Sequence, residues 1–132
     1  MFEYHGWVTV QHSASDESDA QLEGAYRAAE DIVRSLMSGR GLADIRIVNG
    51  VAQVHLAGFL NRRGCEGEEV IDSFCGIGTV APGSYGMMYI RDDEDRSGLG
   101  NEFQVLVMRQ GVTAVVRDTH LSPCIPMIED DF

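Results

Sequence analysis

Residues 83–95 read GSYGMMYIRDDED, and this stretch decides the fold. Pro82-Gly83 supplies a chain reversal. Tyr85, Met87 and Tyr89 then alternate with Gly86, Met88 and Ile90, which is the period of a pleated strand. Because both faces are apolar, the strand belongs in the middle of a sheet. It delivers Asp92, Asp93, Glu94 and Asp95 to its end. Four adjacent acids repel one another and cannot be buried unpaired, so they must be solvated, hold a cation, or meet a basic partner.

Working outward, residues 2–11 alternate as well, with Phe2, Tyr4, Gly6, Val8 and Val10 on one face and Glu3, His5, Trp7, Thr9 and Gln11 on the other. Ser18 followed by Gln21 has the form of a capping box. Leu22, Ala25, Tyr26, Ala29, Val33, Leu36 and Met37 recur at helical spacing, which predicts a helix over 18–37. Asn49-Gly50 between the apolar runs 44–48 and 51–59 predicts a hairpin. Residues 61–67 read as a polar loop. Val70, Ile71, Phe74 and Ile77 form the stripe of a second, shorter helix over 68–77.

Residues 103–109 and 112–118 read as two further strands joined tightly at Gln110-Gly111. The order strand, helix, strand, strand, helix, strand matches the ferredoxin-like arrangement, with a C-terminal hairpin added. The expected fold is therefore α+β. It has one antiparallel sheet of five to six strands, both helices on one face, and a single domain over 1–132. The opposite face would be open, carrying Trp7, His5, Thr9, Gln53 and His55. Pro123 and Pro126 argue against regular structure in the tail. That tail is too apolar for a free end, so it is expected to pack back with Leu121 and Ile125 buried and residues 129–132 less ordered.

The 132 residues contain no Lys and carry a formal net charge of -11. Such a field repels phosphate backbones, which excludes nucleic acid as a partner, and it steers a basic protein toward the surface. No apolar run approaches membrane-spanning length, and the start has no signal-peptide pattern. Three widely spaced Cys suit free thiols in the cytosol. Neither a metal nor any other cofactor is expected. His5, His12, His55 and His120 lack metal spacing. The acidic run lacks the ligand register of a calcium loop, Ser97 standing where its sixth-position glycine would be. A chain without Lys cannot form a Walker site, and Ser84 lacks a nucleophile elbow. Nothing assembles a catalytic set, so no enzyme is expected.

Several segments together resemble the immunity protein 7 family of bacterial polymorphic-toxin systems. They are Glu3-Tyr4-His5-Gly6-Trp7, the Asn49-Gly50 hairpin, residues 58–63, Pro82-Gly83-Ser84-Tyr85-Gly86, the acids Asp92 to Asp95, residues 101–103, residues 121–126, and Glu129-Asp130. The resemblance runs nearly end to end and implies a protein that binds and neutralises a cognate toxin. From the acidity, that toxin is expected to be basic, and a nuclease is one such protein. Trp7, Tyr85, Tyr89, Asp92, Asp93, Glu94 and Asp95 are the expected toxin-binding residues. Packing against the tail, or against a second copy of the chain in a homodimer, is the alternative use of Trp7. The rival reading is an acidic small-molecule or cation-binding module without catalysis.

Overall fold

A computed structural model describes residues 1–131, and Phe132 lies outside the described residues. The elements follow the local chemistry. β1 is Phe2–Val10 and α1 is Asp19–Leu36. Ser18 caps α1 reciprocally: its hydroxyl accepts the Gln21 N–H at 3.2 Å, and its own N–H reaches the Gln21 side chain at 2.9 Å. β2, Leu42–Val48, and β3, Val51–Leu60, turn at Asn49-Gly50, whose φ values of 50° and 78° are those of a tight hairpin turn. α2 follows as Gly64–Val80, then β4 as Tyr85–Asp92. β5, Gln104–Arg109, and β6, Val112–Arg117, make a second tight hairpin through Gln110 and Gly111, at φ 46° and 73°.

The six strands form one antiparallel sheet in the order β2-β3-β1-β4-β5-β6. The first four strands carry the expected ferredoxin-like order, and the hairpin extends the sheet beside β4. β4 is interior, as its two apolar faces require. The core lies on the side of Phe2, Tyr4, Val8 and Val10, with Val54 and Leu56 of β3 and Met88 and Ile90 of β4. Both helices cover this side, α1 through Ala25, Ala29, Val33 and Leu36, and α2 through Val70, Phe74 and Ile77. Each of these side chains removes apolar surface from water, worth on the order of 1.5–3 kcal/mol for the larger ones.

Two local expectations fail for tertiary reasons. α2 begins four residues before Glu68 and runs three beyond Ile77, so much of the supposed polar loop is helix. Two of its glycines, Gly67 and Gly78, are packing residues. A Cβ on Gly67 would stand 3.2 Å from the Phe2 ring, and one on Gly78 only 2.2 Å from the Gly111 carbonyl oxygen. In the tail, Cys124 is the fully buried residue, whereas Leu121 is exposed and Ile125 half-buried. The tail also forms a short helical turn, α3 (Cys124–Met127), interrupted at Ile125.

The docking of the tail explains this inversion. Asn101 holds Ile125 from both sides, its amide donating to the Ile125 carbonyl at 3.1 Å and its oxygen accepting the Ile125 N–H at 2.8 Å. The Asn101 carbonyl accepts the Cys124 N–H at 2.8 Å. These bonds fix the backbone so that Cys124, and not its apolar neighbours, points inward.

Candidate functional site

The sheet face that the helices leave uncovered is set by register. Thr9, Trp7, His5 and Glu3 of β1 stand beside Gln53, His55, Ala57 and Phe59 of β3. On their other side they meet Tyr85, Met87, Tyr89 and Arg91 of β4. Trp7 is 41% exposed and Tyr85 45%, large values for aromatic side chains in the middle of a sheet. Their rings meet edge to face, centroids 6.0 Å apart at 88°. His5 and Phe59 form a second such pair at 5.6 Å. Between these pairs lies an open groove of about 490 Å³ lined by His5, Trp7, His55, Met87 and Tyr89. Tyr89 itself packs edge-on against Phe103 at 6.0 Å.

The expected site residues therefore fall into two groups. Trp7, Tyr85 and Tyr89 share the open face. Asp92, Asp93, Glu94 and Asp95 leave the far end of β4, which puts Asp93 about 26 Å along the strand from Tyr85. Much of the acidic run serves its own loop. Asp93 accepts the amino group of Met1 at 2.5 Å, with Glu94 at 3.6 Å from the same group. These carboxylates raise the pKa of that amine. Asp92 accepts the Glu94 N–H at 3.0 Å. Asp95 accepts both the N–H and the hydroxyl of Ser97, and these bonds hold its carboxyl below its ordinary value. Among the described residues no three His, Cys, Asp or Glu side chains converge as metal ligands.

Among the described residues no histidine ring hydrogen-bonds to a Ser, Thr or Cys side chain. The His5 Nε2 lies 2.6 Å from a Glu3 carboxylate oxygen, an exposed pair. Burial raises the pKa of the Cys124 thiol even though the nearby Arg91 opposes it, so this sulfur is held in its unreactive protonated form.

Two features escaped the reading of the sequence. Arg91 is 6% exposed and grips Glu129 of the tail through two N–H donors at 3.1 and 3.4 Å. Burial, the largest single influence, would lower its pKa; the bond to Glu129 and the negative charge around it, from Glu129 and Glu3 among others, together overcome this and raise it. Only the odd Arg among the apolar residues of β4 hinted at such a pair. The second is a groove of about 690 Å³ between α1 and α2, floored by Ile32 and Gly76 and rimmed by Glu68, Glu69 and Asp72. The small residues Gly64, Cys65, Ser73 and Gly76 at helical spacing are its signal.

The face that the helices leave uncovered is thus an exposed aromatic surface on an acidic chain. Comparison with curated proteins and with solved structures gives no match. The model of one protein family, immunity protein 7, matches residues 1–130, essentially the whole chain. The chain therefore belongs to the immunity protein 7 family and is an immunity protein against a bacterial toxin.

Proposed function

We propose that this chain neutralises its cognate toxin by binding it, without catalysis, through the open sheet face. The observation that carries this reading is the Trp7–Tyr85 pair, exposed and locked edge to face on strands whose other side is the core. Aromatic anchors on a rigid platform lose little side-chain entropy on binding, and such residues dominate interface energetics. The adjoining groove has an apolar wall and two imidazoles, which suits a protruding side chain of the partner.

The acidic loop has a different role in this account. At a net charge of -11 the protein attracts a basic toxin from a distance, and Asp92, Asp93, Glu94 and Asp95 add to that field. Lying far from Trp7, they set the rate of encounter and leave the anchoring to the aromatic face. Co-expression with the toxin encoded beside it, followed by co-purification, tests the reading. A stable complex is expected. A toxin neutralised in the cell without forming any complex would overturn it.

A further inference from the structure

We propose that β6 is the pairing edge of a homodimer, in which two copies join their sheets into one of twelve strands. The two edges of the sheet differ in how they are guarded. β2 carries the ion pair Asp44–Arg46, at 2.8 Å, along its length. β6 carries no charge from Val112 to Val116, no Pro and no bulge, and it exposes Val112 by 72%, Val115 by 63% and Val116 by 46%. Since Val112 and Val116 lie on one face and Val115 on the other, the strand is apolar on both sides. Its outward N–H and C=O groups form an unprotected template for another strand.

The register of self-pairing follows from the alternation. A two-fold axis perpendicular to the sheet keeps faces matched, and placed at Ala114 it sets Val112 opposite Val116 of the second copy, and Thr113 opposite Val115 of the second copy. Every exposed valine of the edge then gains an apolar or Thr neighbour across the seam. α2 runs above this edge, held by the contact of Gly78 with Gly111. Ile71 and Cys75, seven and three residues earlier on α2, share that flank by helical spacing and are half-buried and uncharged. The seam is therefore apolar on the helix side as well.

Charge selects the second copy over a basic partner. Residues 103–117 contain no acid, and their two Arg are Arg109 and Arg117, so this hairpin offers nothing that attracts a basic toxin, which is drawn to the acids elsewhere on the chain. Arg117 is itself neutralised by Glu102, at 2.6 Å. Two copies of an acidic chain approach most easily where neither presents a carboxylate. The repulsion between their remaining charges is long-range, so added salt should strengthen the pair.

Sedimentation velocity of the full chain at tens of micromolar, at about 50 and about 500 mM salt, tests this. The expected species has twice the 14.5 kDa chain mass, with the dimer fraction rising with salt. Val112→Lys with Val116→Lys should sediment as a monomer. Both positions are exposed, so the variant should still melt cooperatively, and its Tm should match that of the unchanged chain once both are diluted to where the dimer has dissociated. A monomer at both salt concentrations overturns the proposal, as does a double variant that dimerises equally well. So does a monomeric chain whose toxin affinity is lost in the double variant, because the edge would then pair with the toxin. Trp7→Ala should leave the dimer intact, which separates this inference from the toxin-binding reading. A monomeric Trp7→Ala would move the seam to the sheet face.

Discussion

Asp118 is buried at 7% exposure where the chain leaves β6, and it staples the tail to the domain. Its carboxylate accepts the N–H of His120, the N–H of Leu121 and the hydroxyl of Ser122, each at 2.8 Å. Ser122 in turn accepts the Phe103 N–H at 2.8 Å, which ties the tail to the start of β5. A hydrogen bond to a charged group contributes roughly 1.5–3 kcal/mol. His120 and Leu121 are exposed, so water replaces part of what Asp118→Ala removes. The net loss should be about 2–3 kcal/mol, or about 8–12 °C in Tm for a chain of this size. The carboxyl also makes the effect depend on pH. Burial pushes its pKa up, but the bonds from His120, Leu121 and Ser122 outweigh this and hold it below the ordinary value. A lowered folded-state pKa means that the stabilisation is complete above the unfolded value, about 3.9, and is lost as pH falls through the folded value. The Tm gap between the unchanged chain and Asp118→Asn should therefore be full from about pH 5 upward and close below about pH 4. Melts followed by circular dichroism across that range measure it. An unchanged Tm in Asp118→Ala, or a gap that persists in acid, would refute the argument.

Gly78→Ala and Gly24→Ala should have opposite signs in urea unfolding. A Cβ on Gly78 meets the Gly111 backbone at 2.2 Å and should cost about 2–3 kcal/mol, whereas one on Gly24 in α1 meets nothing within 4 Å and should gain about 0.5–1 kcal/mol. Glu129→Ala should cost about 1–2 kcal/mol, reduced from a buried pair because Glu129 is half exposed, and should speed hydrogen exchange at Cys124 and Ile125 while leaving β1 protected. Asp93→Asn with Asp95→Asn should slow toxin association and reduce its salt dependence with little change in dissociation, as read by surface plasmon resonance at two salt concentrations.

How much the sequence reveals depends on how local the deciding interaction is. The alternation of Phe2, Tyr4, Val8 and Val10, the Ser18–Gln21 box and the Asn49-Gly50 turn act within a few residues. β1, α1 and the first hairpin were therefore legible, and with them the sheet face on which Trp7 lies. The start of α2 was not, because Gly64 and Gly67 look like loop residues until Phe2 is packed against Gly67. Nor was the burial of Cys124, which Asn101 imposes from more than twenty residues away. The acidic run misled in part. Asp93 and Glu94 face the Met1 amino group only because β1 pairs with β4, and an isolated reading leaves them free for a partner.

The central claim is that the toxin is held by the open sheet face. Its most direct test is the dissociation rate of the cognate toxin from Trp7→Ala and Tyr85→Ala, measured by surface plasmon resonance against the unchanged chain. Removing an aromatic hot spot should cost on the order of 2 kcal/mol, so Trp7→Ala should release the toxin about 30-fold faster at a nearly unchanged association rate. Dissociation that is the same in all three proteins would contradict the account and place the toxin on another surface.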